Sequence, residues 1–159
     1  MTNDVGTTQV TLPSDVEIRL TRVFDAPAAR VWAAHTEPAL LRQWQLGPEG
    51  WTMPVCEIDL RPGGAWRCVW RSTEGQGEFQ IGGEYREIEA PHRLVQTEGM
   101  DDGPKGLTTT VLTELDGRTL MTVTMIFPSK ELRDQVHATG MADGASASYD
   151  RLDQLLPGA

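Results

Sequence analysis

The chain has 159 residues and a formal net charge of -9, with 39% hydrophobic and 23% charged residues. This length and composition are typical of a single globular domain with a substantial core. The negative charge argues against nucleic acid and anionic membranes as partners, because both require a basic face. Met1–Thr11 contains no apolar run, so no signal peptide or membrane span is predicted and a cytoplasmic location is expected.

The first part of the chain predicts a tail, a strand and two short helices. Residues 1–15 are expected to form a flexible N-terminal tail ahead of one domain that spans residues 16–157. Alternating apolar and polar side chains over Val16–Phe24 predict the first strand. Asp25 is expected to cap a short helix, and Glu37-Pro38 is expected to begin a second one.

From residue 51 to residue 127 the hydrophobic pattern has a period of two, which is typical of strands with one buried face. Clusters of Gly, Pro and Asp separate the segments, as expected for the short turns of an antiparallel meander. Gly82-Gly83 predicts a bulge or a sharp bend within one strand. The predicted strands are roughly Thr52–Leu60, Ala65–Arg71, Gly77–Ile88, Arg93–Thr97, Leu107–Leu115 and Thr119–Phe127.

The longest helical pattern is the last one, over Ser129–Leu156. Ser129 is a favourable N-cap residue, and the spacing of the apolar residues predicts one buried face, with Arg133 among the charged residues on the opposite side. The middle of the helix consists of small residues, and its two glycines each weaken a helix by about 1 kcal/mol relative to alanine. The sequence therefore allows either one continuous helix or a helix with a kink near Gly140. The simplest α+β arrangement is a strongly bent sheet wrapped around this helix.

Alternation along the strands also predicts which side chains point toward the terminal helix. An odd-numbered loop at Arg61-Pro62-Gly63 would place Cys56 opposite Cys68. The inward set combines aromatic rings with polar atoms, adaptable methionines and no charged residue, which is typical of a small-molecule pocket. The alternative is that the set is only a core. Its members are Cys56, Ile58, Leu60, Trp66, Cys68, Trp70, Phe79, Ile81, Tyr85, Val111, Leu115, Met121, Val123, Met125 and Phe127.

Residues that often carry chemistry are few in this sequence. His35, His92 and His137 do not stand at metal-ligand spacing from one another or from a cysteine, so no metal is predicted. Cys56 and Cys68 are expected to be inert buried thiols, because nothing cationic accompanies them on the inward face. No cofactor-binding motif is present, and no cofactor is predicted.

Several segments, in register from about Glu17 to Leu156, match a known family pattern. On these segments the chain resembles the bacterial homologues of the heat-shock-protein-90 ATPase activator, within the START-like (SRPBCC) superfamily that also holds birch-pollen-allergen and polyketide-cyclase proteins. The resemblance implies a helix-grip fold, in which a curved antiparallel sheet of about seven strands wraps around a long C-terminal helix. Two short helices lie between the first and second strands. The matching segments include Arg22-Val23-Phe24-Asp25-Ala26-Pro27, Asp59-Leu60-Arg61-Pro62-Gly63-Gly64, Gly83-Glu84-Tyr85-Arg86-Glu87-Ile88 and Gly140-Met141.

One position departs from this family pattern. Relatives usually place a tryptophan just after the second glycine of the terminal helix, where this chain has Ala145. A Trp-to-Ala change in a packed core costs about 3–5 kcal/mol, out of a total stability of about 5–15 kcal/mol. The space is therefore expected either to be refilled by Trp66 or Trp70, or to enlarge a pocket.

The sequence thus predicts binding of a small hydrophobic or aromatic molecule in a cavity between the sheet and the terminal helix. Tyr85 and Tyr149 are the best candidates to orient it. Two alternatives stay open: an enzyme of polyketide cyclase/dehydratase or hydrolase type, which needs an ionisable group in the cavity, and a co-chaperone-like interaction domain, which needs an exposed apolar patch. Assembly into a homodimer is also left open. The predicted cavity lining is Trp44, Trp66, Cys68, Trp70, Phe79, Ile81, Tyr85, Met121, Met125, Met141, Ala145 and Tyr149.

Overall fold

The computed structural model describes residues 5–100 and 103–156. In this part of the chain, one open antiparallel sheet of eight strands is combined with four helices, which is the helix-grip arrangement that the sequence predicts. The elements are β1 (Gln9–Thr11), β2 (Glu17–Phe24), α1 (Ala28–Thr36), α2 (Pro38–Trp44), β3 (Trp51–Ile58), β4 (Ala65–Ser72), β5 (Glu78–Glu89), β6 (Arg93–Met100), β7 (Gly106–Leu115), β8 (Arg118–Ile126), α3 (Lys130–Ala138) and α4 (Met141–Leu155).

The strand order in the sheet is β1-β2-β8-β7-β6-β5-β4-β3. Strands β3 to β8 form a meander with short turns, and β2 joins it beside β8. The two helices α1 and α2 carry the chain from β2 to β3, which is the other edge of the sheet. Cys56 of β3 lies directly opposite Cys68 of β4, as the odd-numbered loop between them predicts.

The core lies between the sheet and the helices. Leu20 and Phe24 of β2, Leu112 of β7, Met121 of β8 and Leu152 of α4 are all at most 2% exposed and belong to one cluster. Burying one such side chain contributes about 1.5–3 kcal/mol. The C-terminal half of α4 is therefore anchored in the core, whereas its N-terminal half contains the small residues.

The predicted terminal helix is divided into two helices. Helix α3 begins as predicted, with the amide of Leu132 donating to Oγ of Ser129 over 3.1 Å. It ends at Ala138, and α4 begins at Met141. Gly140 between them has a φ of 82°, in the left-handed region that glycine adopts without strain.

Three local expectations differ from the structure. Asp25 does not cap α1: the N-cap residue is Pro27, and the Asp25 carboxylate lies 3.5 Å from Arg118 instead. Arg133 is buried rather than solvent-facing, because its guanidinium donates to the carbonyl oxygen of Ser14 over 2.7 Å. The segment predicted as a tail contains strand β1, which pairs with β2, while residues 1–4 lie outside the described residues.

The inward faces of two strands also differ from the predictions. Leu60 follows the end of β3 and is 39% exposed, and Leu115 at the end of β7 is 42% exposed. On β7 the buried side chains are Thr108, Thr110 and Leu112, so the assignment of Val111 and Leu115 to the inward face was wrong. The run of threonines before Val111 shows no alternation that could fix the face.

The double glycine of β5 permits a close approach of two strands rather than a bulge. A Cβ added at Gly83 would lie 2.1 Å from the carbonyl oxygen of Thr97 on β6. The register shift between β5 and β6 comes later, between Tyr85 and Glu87. Tyr85 therefore stays on the same face as Phe79, as the even spacing of the two residues predicts.

Candidate functional site

A pocket of about 590 Å³ lies between the concave face of the sheet and the N-terminal half of α4. Strands β3 to β8 contribute to its wall, together with α1, α2 and the loop that follows α2. Its volume is within the range of about 300–1,000 Å³ that small-molecule sites occupy.

One wall of the pocket consists of aromatic rings in fixed positions. The indole nitrogen of Trp66 donates to the carbonyl oxygen of Thr97 over 3.0 Å, and that of Trp70 donates to the carbonyl oxygen of Gln45 over 2.8 Å. Phe79 stacks on Trp70, with ring centroids 5.2 Å apart. Because both indole donors are bonded to backbone carbonyls, these rings are held as parts of the wall.

The small residues of α4 face the pocket from the other side. Gly144 and Ala145 both line it, so open space borders the position where the family resemblance implies a tryptophan. A Cβ at Gly144 would lie 3.5 Å from Cδ of Pro48 in the loop after α2. The same loop is attached to α4 by a hydrogen bond of 2.8 Å from the amide of Gly47 to Oγ of Ser148.

A stripe of polar side chains crosses the pocket wall on β6 and β7. It consists of Gln96, Glu98, Thr108 and Thr110, which all line the pocket. Gln96 is paired directly with Thr108 across the two strands, so their side chains are neighbours on one face. The sequence prediction missed this stripe, and with it an acidic residue in the pocket.

Glu98 is the charged residue of the stripe. Oγ1 of Thr108 donates to its Oε1 over 3.2 Å. Burial raises the pKa of the Glu98 carboxyl above its ordinary value, and the hydrogen bond from Thr108 partly offsets that rise. Glu98 is half-buried and lines the pocket. No lysine or arginine lines the pocket in the described part of the chain.

His35 reaches the pocket from the end of α1. Its Nδ1 lies 2.8 Å from the carbonyl oxygen of Val31, so Nδ1 carries a proton and donates it. In the neutral ring, Nε2 is therefore an acceptor. Burial lowers the pKa of His35, and the bond to Val31 partly opposes this effect. The imidazole also packs edge-on against Trp44, with ring centroids 4.8 Å apart.

Two tyrosines complete the set of titratable groups on the wall. Burial raises the pKa of both Tyr85 and Tyr149, and the charge of Glu98 contributes to the rise at Tyr149. Neither phenol oxygen forms a hydrogen bond with another described residue. Both hydroxyls are therefore available to a bound molecule.

The two cysteines are coupled through their thiols. Cys68, which lines the pocket, places its Sγ 3.9 Å from Sγ of Cys56. The hydrogen bond to Cys56, together with burial, raises the pKa of the Cys68 thiol. The same bond lowers the pKa of Cys56, and the nearby Arg42 adds to that effect. Arg42 does not line the pocket, and the sequence prediction did not foresee this cation near Cys56.

The structure brings together most of the residues predicted to line a cavity. Met121 is the exception, because it is fully buried in the core and does not border the pocket. A role in ligand binding stays a prediction for all of them. The predicted residues that border the pocket are Trp44, Trp66, Cys68, Trp70, Phe79, Ile81, Tyr85, Met125, Met141, Ala145 and Tyr149.

The described residues contain no group of three or more His, Cys, Asp or Glu side chains that could hold a metal ion. None of their helices is long and apolar enough to cross a membrane.

The sheet, the terminal helix and the pocket between them define a helix-grip domain, an architecture of ligand-binding proteins. Residues 25–157 match the family described as Activator of Hsp90 ATPase homolog 1-like protein, and the chain belongs to that family. No curated protein matches the sequence significantly.

Solved structures of bacterial proteins agree with this assignment. A protein from Rhodobacter sphaeroides is 32% identical, with a TM-score of 0.88 over 96% of this chain and 99% of that chain. A protein from Mycobacterium smegmatis is 28% identical, with a TM-score of 0.85 over 95% and 98% of the two chains. An AHSA1-like protein from Aeromonas hydrophila shares the fold, with a TM-score of 0.70 at 19% identity over 86% and 93% of the two chains.

Proposed function

We propose that this protein binds one small, largely apolar aromatic molecule in the pocket between the sheet and α4. The observation that carries the proposal is the open space beside Gly144 and Ala145, which faces a wall of rings held by their own hydrogen bonds. Rings that are already fixed lose little conformational freedom when a ligand packs against them. The mixture of an apolar wall and a few polar side chains is the usual composition of a small-molecule site.

Ala145→Trp tests this proposal, because the larger side chain would occupy the space that the ligand needs. The probe is N-phenylnaphthylamine, an uncharged molecule whose fluorescence rises in apolar surroundings. Wild-type protein is expected to bind one probe per chain, and Ala145→Trp is expected to lose most of this binding while it unfolds at a similar temperature. Gln154→Trp, at an exposed position of the same helix, is the matched control and should bind as the wild type does.

Two results would contradict the proposal: no stoichiometric binding to the wild type, or equal binding by Ala145→Trp and Gln154→Trp. Native mass spectrometry of freshly purified protein provides an independent measurement. A molecule that co-purifies with the wild type and with Gln154→Trp, but not with Ala145→Trp, would support the proposal. Its mass would identify the natural ligand.

A second candidate function is catalysis of the cyclase, dehydratase or hydrolase type in the same pocket. Glu98 and His35 favour it, because a carboxyl and a neutral imidazole that line one pocket can act as an acid and a base. Naphthyl acetate is a suitable first substrate, with release of naphthol as the readout. An enzyme should lose activity in Glu98→Gln or His35→Asn, and an unchanged slow rate in both variants would remove this candidate.

A further inference from the structure

The charge on the pocket wall indicates what kind of polar group the ligand carries. Glu98 is the acidic side chain of the wall, and no lysine or arginine lines the pocket in the described part of the chain. The imidazole of His35 does not compensate it, because burial favours the neutral ring. An anionic ligand such as a fatty acid would be repelled by an ionised Glu98 and would find no cation to pair with.

The carboxyl group of Glu98 has bonding capacity that the protein does not use. A carboxylate accepts about four hydrogen bonds, and Thr108 supplies one of them. The buried guanidinium of Arg22 is not a partner, since it pairs with Asp150 and Asp153. A half-buried carboxylate without a counter-ion is less well solvated than one in water, so a cation supplied by a ligand would be bound with an advantage.

The surroundings of Glu98 fit an ammonium group in particular. Such a group has three donors, and the side-chain oxygens of Gln96 and Thr110 lie in the same polar stripe and form no hydrogen bond with another described residue. Aromatic faces attract cations, and the rings of Tyr149 and Trp44, with centroids 6.0 Å apart, line the same pocket from the helices.

We propose that the ligand is an aromatic, otherwise apolar molecule with one protonated alkylamine, and that Glu98 is the counter-ion of this amine. This inference rests on the proposed function and adds the chemical class of the ligand. It places the hydrocarbon part against Trp66, Trp70 and Phe79 and the nitrogen at the polar stripe.

Three probes with one hydrocarbon skeleton test the proposal: naphthylethylamine, naphthylethanol and naphthylacetic acid. Calorimetric titration near neutral pH should show that the amine binds the wild type about tenfold or more tightly than the alcohol, because an ion pair replaces a neutral hydrogen bond. The acid should bind most weakly. In Glu98→Gln the advantage of the amine over the alcohol should disappear, while binding of the alcohol persists.

The matched control is Glu57→Gln, which removes the same charge from a side chain that is 67% exposed on the outer face. This variant should keep the order of the three affinities. Equal binding of amine and alcohol to the wild type, or tightest binding of the acid, would overturn the inference and leave the proposed function intact. If none of the three probes bound the wild type, both would be overturned.

Discussion

Thr108 donates a hydrogen bond of 3.2 Å to the carboxyl group of Glu98, from the strand next to it in the sheet. It is the one hydrogen bond that this carboxyl receives from the described residues. Burial opposes ionisation of Glu98, and a single neutral donor offsets only part of that cost. The pocket wall therefore contains an acidic group with hydrogen-bonding capacity that the described residues do not use.

Glu98→Gln is expected to make the ligand-free protein more stable at neutral and alkaline pH. Because the folded-state pKa of Glu98 is raised, protons bind the folded form more tightly than the unfolded form. Wild-type stability contributed by this group is thus present below the unfolded value of 4.5 and is lost as the pH rises through the folded pKa. Urea unfolding across this range should show the advantage of Glu98→Gln growing with pH.

A gap between the two proteins that stayed constant with pH would contradict this account. Glu57→Gln serves again as the control, because its carboxylate is on the outer face and pairs with Arg67. The difference in stability between Glu57→Gln and the wild type should not grow with pH as it does for Glu98→Gln.

His35 should give the opposite pH dependence. Its folded-state pKa lies below 6.5, so the stability that it contributes is present above pH 6.5 and is lost as the pH falls through the folded pKa. His35→Asn cannot be protonated in this range, so its stability should decline less steeply below pH 6.5. His137→Asn, at an exposed position of α3, is the control for loss of a histidine. Equal acid slopes for wild type and His35→Asn would contradict the prediction.

The two glycines near the start of α4 should respond to alanine in opposite directions. Gly140→Ala forces a side chain into a left-handed backbone conformation and should destabilise the protein by about 1–2 kcal/mol. Gly144→Ala should gain up to about 1 kcal/mol of helix stability, because its new Cβ would meet Pro48 only at an ordinary contact distance. Urea unfolding measures both. Stabilisation by Gly140→Ala would show that the break between α3 and α4 is misplaced.

The cysteine pair predicts selective alkylation. Cys56 is partly exposed, and its pKa is lowered by the thiol of Cys68 and by Arg42, whereas Cys68 is 1% exposed with a raised pKa. Iodoacetamide should therefore modify Cys56 well before Cys68, which peptide mass spectrometry measures directly. In Arg42→Gln the rate at Cys56 should fall. Faster labelling of Cys68 would show that the pocket admits the reagent and that the thiol is not held protonated.

The aromatic half of the pocket could be predicted from the sequence because its strands alternate clearly. Trp66, Cys68 and Trp70 alternate with Arg67 and Arg71, so the face with the arginines is expected to point outward, and the register confirms that Cys56 lies opposite Cys68. The inward face of β4 also determines which side chains of β3 and β5 point inward. The faces of such strands can be predicted without information about distant contacts.

The polar half could not be predicted, because its sequence carries no such signal. Leu94 and Val95 are adjacent apolar residues, and both are buried, so the phase of β6 is ambiguous. Threonines occupy both faces at the start of β7. Glu98 also lies just beyond Thr97, where the predicted strand ended. A half-buried carboxyl on a pocket wall departs from the usual rule that glutamate is exposed, and only the pairing of β6 with β7 reveals it.

Arg22 of β2 is a second charged residue whose burial the sequence does not reveal. Its guanidinium, 1% exposed, pairs with Asp150 and Asp153, whose side chains are 64% and 27% exposed. Asp153→Asn should therefore cost more than Asp150→Asn, with a loss between the ~0–1 kcal/mol of exposed pairs and the ~3–5 kcal/mol of buried ones. Much of that cost comes from leaving the Arg22 charge under-compensated. Arg22→Met combined with Asp153→Asn should therefore lose less than the two single losses added together, and strict additivity in urea unfolding would contradict this coupling.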